Sequence, residues 1–186
     1  MSKSDSIKQG HLLLSEPFMD DSNFKRTVVY LAEHNDDDGT IGFVLNKKLN
    51  ITLPDAIDEI DHFKAPLFYG GPVEPETLHF LHNIKGIEGA LEVNPGVFWG
   101  GNFETIKVLI KNGDVAPNDF RFFLGYSGWD VGQLDNEMAT NSWIISKAEY
   151  DHIFKSEWES LWKDVLIKMG GRFKMMSNFP EDPQLN

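Results

Sequence analysis

The sequence contains no cysteine, which excludes disulfides, thiolate metal sites and cysteine nucleophiles and fits a reducing compartment. Basic residues are scarce: 17 Lys and Arg stand against 29 Asp and Glu, a formal net charge of −12. Such a field repels phosphate polymers and anionic membrane surfaces within a Debye length. Binding nucleic acid would then require a segregated basic patch, and neither the pair Lys47 and Lys48 nor the group Lys168, Arg172 and Lys174 is dense enough to make one. Long apolar runs are missing too. The N-terminal MSKSDSIKQGHLLLSEPF carries three consecutive Leu, far short of a signal h-region, and nothing elsewhere approaches a membrane span. The expectation is a cytoplasmic protein with no membrane attachment. Phosphate loops are also lacking, since GGPVEP and GGNFET have neither the Gly-Lys-Ser/Thr ending of a P-loop nor the spaced glycines of a dinucleotide turn. No cofactor is expected.

What is present suits one domain. A chain of 186 residues, 41% hydrophobic and 25% charged, is of ordinary globular composition and long enough to bury roughly 70% of its extended surface. Fourteen Phe among 12% aromatics predict a bulky, ring-rich core. RTVVYLAE (26–33) and IGFVLN (41–46) read as two buried strands of a hairpin around HNDDDGT. Thr52 caps a short helix with Pro54 in its first turn, and APLFYGGPV (65–73) is a strand stopped by Gly70-Gly71-Pro72. TLHFLHNI alternates as a strand, EGALEVNPGVFWGGN (88–102) forms two extended pieces around Asn94-Pro95-Gly96, and Asn102 and Gly113 bracket a helix. DFRFFLGY (119–126) is the most hydrophobic strand. SWIIS is another strand. Ser146 with Glu149, and Ser156 with Glu159, are expected capping boxes for two more helices, the second carrying Trp158, Leu161, Trp162, Val165 and Met169 at helical spacing. GRFKMMS is expected to close as an edge strand.

Several stretches resemble known chemistry and fail on inspection. Asp36, Asp38 and Gly39 fall at the third, fifth and sixth positions of a calcium loop, but His34 and Leu45 occupy its ligand ends; a solvated hairpin turn is the better account. His79 and His82, three apart on a strand, point to opposite faces, so no metal is expected there. Ser127 in Gly125-Tyr126-Ser127-Gly128-Trp129 sits in a turn like a nucleophile elbow, but Trp129 occupies the position where that pattern needs Gly. The Gly-Trp segment itself is the most unusual stretch: glycine allows a positive-φ bend near position 128, Trp129 then covers it, and Gln133-Leu134 opens a helix. It is either a packed corner or the wall of a site.

Taken together, EHNDDDGTIGFVLNKKL (33–49), GGPV (70–73), Leu81-His82, GYSGWDVGQLDNEM (125–138) with Asn141 and Trp143, and Leu161-Trp162 resemble the AlgH/YqgE family of bacterial proteins, in the same order over about residues 9–172. Gly-Trp-x-x-Gly-Gln-Leu is hard to obtain by chance. The resemblance implies a single α+β domain in which a strongly curved, partly barrel-like mixed sheet is flanked by helices, spanning 9–176 between a disordered N-terminus (1–8) and a flexible acidic tail (177–186). It implies little about function, because members are often labelled transcriptional regulators through a genetic link to alginate control while no agreed reaction, cofactor or DNA-binding motif belongs to the family. Its motif falls on Gly42, Pro72, Gly125, Gly128, Gly132, Leu134 and Trp143 and on most of the candidate site residues. Ser127 stands where many relatives have Ala, which weakens a nucleophile reading further.

Two functional expectations follow. In the first the chain is a non-enzymatic binding or regulatory protein for an unknown protein or small-molecule ligand, not binding DNA directly. Its site is a groove between the 33–46 hairpin, the GGPV corner and the Gly-Trp turn, with Glu33, His34, Asn46, Gly70, Gly71, His82, Ser127, Trp129, Gln133 and Glu137 as candidates. In the second it is a hydrolase on a small substrate, with His34 or His82 as base oriented by Glu33 or Glu137.

Overall fold

The β-branched and aromatic runs become strands and the 3.6-period segments helices in a computed structural model that describes residues 6–181. Chain order gives β1 (His11–Ser15), β2 (Val28–Asn35), β3 (Gly39–Val44), β4 (Lys48–Thr52), α1 (Leu53–Ala56), β5 (Pro66–Tyr69), β6 (Val73–His82), β7 (Leu91–Asn94), β8 (Val97–Trp99), α2 (Phe103–Asn112), β9 (Phe120–Trp129), α3 (Gln133–Ala139), β10 (Trp143–Lys147), α4 (Tyr150–Phe154), α5 (Leu161–Met169) and α6 (Gly171–Met176). The strands form one mixed, mainly antiparallel sheet whose path runs β10-β1-β2-β3-β9-β6-β8-β7 and stays open at its ends, with β4 and β5 branching from it. This is the expected α+β single domain, with its sheet not closed into a barrel.

β9 organises the sheet. Along one edge it pairs antiparallel with β6, from His82↔Phe120 to Val73↔Tyr126. Its opposite edge is divided: β5 lies parallel against Phe122, Phe123 and Leu124, and β3 lies antiparallel against Ser127, Gly128 and Trp129. The handover between β5 and β3 needs a bend, and Gly125 provides it at φ 69, a conformation L side chains avoid. Space demands glycine as well, because a Cβ at Gly125 would meet the Gly71 carbonyl oxygen at 2.5 Å and one at Gly70 would collide with the Gly125 carbonyl. Two chain segments therefore cross backbone to backbone.

Both faces of the sheet are covered, which is why β2 reads as an unbroken apolar run rather than an alternating one. Val28 and Tyr30 join Phe43, Phe68 and Phe123 against Trp162, Val165 and Leu166 of α5. Val29 and Leu31 face the other way, onto Trp129, Leu134 and Trp143. A further cluster packs Ile106 and Ile110 of α2 against Phe80, Phe120 and Phe122.

Four local expectations are corrected. The strand expected to end at 126 continues to Trp129, because β3 offers it a partner. Ser146 lies inside β10, and α4 is instead entered through Glu149, whose N–H donates to His152 Nδ1 at 3.0 Å. The Ser156 hydroxyl closes α4 by donating to the Asp151 carbonyl, and α5 starts only after Ser160, whose hydroxyl donates to Asp164 Oδ2 at 2.6 Å. GRFKMM is α6, not an edge strand: Arg, Lys and Met are good helix formers, and Phe173 and Met176 pack against the core cluster that contains α5. The region expected to be a tail from 177 begins with buried Ser177, and Phe179 stacks on Phe18 at 5.6 Å while its carbonyl accepts from Arg26. Residues 1–5 and 182–186 of the expected disordered and flexible ends lie outside the described residues.

Candidate functional site

The Gly-Trp segment is a clamp of indoles on one carboxylate. After Trp129 the chain turns at Gly132, φ 73, into α3, which carries Glu137 back over the sheet. Glu137 Oε2 accepts from Trp129 Nε1 at 2.9 Å and Trp143 Nε1 at 2.7 Å, and Oε1 accepts from Gln133 Nε2 at 3.0 Å. Gln133 Oε1 in turn accepts the Asp130 N–H. The indoles meet edge to face at 5.8 Å, Phe24 packs on both, and they are 4% and 3% exposed. Charge-assisted bonds to a carboxylate are the strong kind, so three candidates, Trp129, Gln133 and Glu137, form one network. The positive-φ bend expected at 128 lies instead at Gly125 and Gly132, since Gly128 is ordinary strand paired with Ile41.

The other candidates are distributed around this network. Ser127 is fully buried and its hydroxyl donates to the Gly70 carbonyl at 3.0 Å, and Gly71 packs against the Tyr126 carbonyl; these three fasten the backbone crossing. Asn46 accepts from the Val28 N–H and donates to the Arg26 carbonyl, closing the β2–β3 pair at its base. Glu33 and His34 are at the far end of that hairpin, where His34 Nδ1 bonds the Thr40 hydroxyl at 2.7 Å. His34, Thr40, Asp130, Leu134 and Asp135 line a small cavity of about 250 Å³, where the hairpin and the Gly-Trp segment share a concavity. The indole of Trp129 turns away from it, into the core with Leu13, Val29 and Leu31.

His82 is elsewhere again. It is fully buried among Phe80, Phe98 and Phe120, with Nε2 at 2.9 Å from the Gly100 carbonyl and Nδ1 accepting from the Ile84 N–H. Those partners define a neutral Nε2–H tautomer. Burial pushes its pKa below the usual histidine value, against the pull of the Gly100 carbonyl. Burial lowers His79 and His152 in the same way. His79 faces Phe43 and Tyr126 rather than the rings around His82, so the two side chains do point apart. Among the described residues no group of His, Asp and Glu is arranged to hold a metal ion.

A larger concavity than the one beside His34 lies away from all of the candidates. A cleft of about 590 Å³ opens between the start of β9, the strands β4 and β5, and α4. Its floor is Arg121, 8% exposed, whose guanidinium lies 4.2 Å over the Phe68 ring and whose Nε donates to the Ile153 carbonyl at 3.0 Å. Burial pushes Arg121 down to about 10, which leaves it cationic at neutral pH. Among the described residues no carboxylate lies within ion-pair reach of it, and its two terminal nitrogens have no hydrogen-bonding partner. Tyr150 lines the wall with its oxygen accepting from Asn83 at 2.7 Å, which frees its own proton. Trp158 closes one end, edge-on to Phe68 at 6.5 Å, and also borders a shallower hollow with Asn46, Lys47 and Tyr69. The signal for this cleft was in the sequence: Arg121 is the one charged residue in FRFFLGYSGW.

An α+β domain built on a shared bent strand, with an indole–carboxylate clamp at one end of that strand and a cationic cleft at the other, defines the class of molecule. The chain belongs to the AlgH-like family (DUF179), whose model matches residues 12–174. It is 42% identical over 181 residues to a UPF0301 protein of Chlorobaculum parvum, covering 97% of this chain and 96% of that one. It is 42% identical over 182 residues to a UPF0301 protein of Cytophaga hutchinsonii, covering 97% and 100%. The fold is similar to the solution structure of AlgH from Pseudomonas aeruginosa, at TM-score 0.74 and 23% identity over 97% of this chain and 98% of that one. It is likewise similar to the crystal structure of DIP2367 from Corynebacterium diphtheriae, at TM-score 0.77 and 21% identity, covering 94% of each.

Proposed function

We propose that the chain is a non-catalytic binding protein of the cytoplasm, acting in regulation through a captured ligand, and that its binding surface is the Arg121 cleft. The observation that carries this reading is the uncompensated buried guanidinium. Burying an arginine to 8% exposure without a counter-ion is costly, and one whose unpartnered terminal nitrogens open into a concavity is a candidate for ligand recognition. The cleft has no histidine, and its carboxylate, Asp119, is engaged by Asn83 and the Ala116 N–H. It therefore offers recognition and lacks the His–carboxylate pair of the hydrolase reading.

The residues expected to make an enzyme support the same reading from the other side. Glu137 is filled by two indoles and an amide, Ser127 donates to a carbonyl, and both nitrogens of His82 face backbone. His34 has Asp36 only at 3.9 Å, and that carboxylate is 99% exposed, too loosely held to orient a base. The test is a ¹H–¹⁵N spectrum of the protein titrated with a set of small metabolites, run beside p-nitrophenyl ester hydrolysis. Shifts clustering on Asn83, Tyr150 and Trp158 with no turnover are expected. Turnover that Ser127→Ala or His34→Gln abolishes would overturn the reading in favour of a hydrolase.

A further inference from the structure

Resting on the reading of the cleft as a binding surface, its chemistry narrows what it takes. Three cations, Lys48, Arg121 and Lys155, line it against the single carboxylate Asp119. Lys155 is shared, 3.1 Å from Asp151 and 5.3 Å from the centre of the Tyr150 ring. Asp119 is occupied by the two bonds already described. The uncommitted charged and hydroxyl groups are donors, namely the terminal nitrogens of Arg121, the Tyr150 hydroxyl proton and Lys48, while the acceptors left beside them are the neutral amide oxygens of Asn83 and Asn118. A cleft whose free charged groups are cationic donors and whose one carboxylate is already engaged is complementary to an anion.

Flat apolar surface accompanies these donors. Phe68, Phe154 and Trp158 line the same cleft, and the Phe68 ring 4.2 Å from the guanidinium carbon, with the Nε bond to the Ile153 carbonyl, holds the guanidinium in place. A fixed fork presents two parallel N–H groups, the geometry that a carboxylate or a phosphate meets with two oxygens. The overall charge of −12 opposes anion approach only weakly at physiological salt, where the Debye length is about 8 Å, so the cations within the cleft dominate at contact. We propose that the cleft is the site of a small aromatic anion, its carboxylate or phosphate on Arg121 with Tyr150 and Lys48 assisting, and its ring against Trp158.

The test is a titration of the isotope-labelled full chain with benzoate, phenyl phosphate, benzyl alcohol and benzylamine, read at the Arg121, Tyr150 and Trp158 signals. Benzoate or phenyl phosphate is expected to bind at least about tenfold tighter than benzyl alcohol, and benzylamine weakest. Whichever of the two anions binds tighter identifies the head group. Arg121→Met keeps the apolar stem over Phe68 and should erase the preference, with the Trp129 and Trp143 indole signals reporting an intact fold. If that variant does not fold, Tyr150→Phe and Lys48→Ser, both at the rim, should each weaken the anion several-fold and leave benzyl alcohol unchanged. Benzyl alcohol or benzylamine binding in the cleft as tightly as the anions would overturn the anion assignment and leave the binding reading standing. No shift in the cleft with any probe would overturn both.

Discussion

Glu137 is the residue on which the Gly-Trp segment depends. Its carboxylate satisfies two indole donors from different strands, so removing it orphans both. At about 1–3 kcal/mol for each unsatisfied buried donor, Glu137→Ala is expected to cost more than about 2 kcal/mol in urea unfolding and to shift tryptophan emission. Gln133 contributes one exposed bond to the same carboxylate, and Gln133→Ala is expected to cost under about 1 kcal/mol. Equal losses in the two variants would contradict the clamp. The buried histidines supply a second test at this scale. His79, His82 and His152 have pKa values lowered in the folded state by burial, so the unfolded chain binds protons first as pH falls. Stability is then fully present above the unfolded histidine value of about 6.5 and declines between that value and the lowered folded ones. Protonating His82 would also put a proton against the Ile84 N–H. Thermal melts from pH 8 to pH 5 should show midpoints falling below pH 6.5, well above carboxylate titration, and His82→Asn should flatten part of that slope.

Among the elements, β9 and its crossing with the Gly70-Gly71 corner carry the architecture. Gly125 and Gly113 both have positive φ, 69 and 76, but a Cβ at Gly113 meets nothing within 4 Å whereas one at Gly125 meets backbone from three residues, Gly71, Val73 and Pro75. Gly113→Ala is therefore expected to cost only the left-handed penalty of about 1–2 kcal/mol, and Gly125→Ala to cost clearly more or prevent folding, as read by circular dichroism and chemical unfolding. Elements whose signals are local were legible in the sequence. The β2–β3 hairpin, the turn at Asn94-Pro95-Gly96 and α2 between Asn102 and Gly113 all lie where turn and capping residues placed them. The sequence expectations differ from the fold where a distant partner decides the outcome: β9 runs on to Trp129 because β3 pairs with it, and GRFKMM is helical with Phe173 and Met176 packed on the core cluster of α5. The clamp was half visible, since Trp129, Gln133 and Glu137 were singled out without their mutual bonding. Beyond the one odd charge of Arg121 in an apolar strand the cleft was invisible, because residues 48, 68, 83, 121, 150 and 158 come from six separate elements or loops and meet only through sheet topology.

At the scale of the whole molecule the acidic surface and the cationic cleft make opposite demands, and salt separates them. Bulk repulsion is screened beyond about 8 Å, so a nucleic acid chain meets an unfavourable surface, while a small anion inside the cleft is held by contact. Gel shifts with duplex DNA at low salt are accordingly expected to show no complex at micromolar protein. No described helix is long and apolar enough to cross a membrane, and nothing in the reading requires one. The central claim is that an uncompensated arginine on the most apolar strand serves a ligand and not the fold. Isothermal titration of phenyl phosphate and benzoate into the native protein and Arg121→Met, at low and physiological salt, measures it. The account expects saturable heat in the native protein that weakens as salt rises and is absent from the folded variant; the same affinity in both proteins, or none in either, contradicts it.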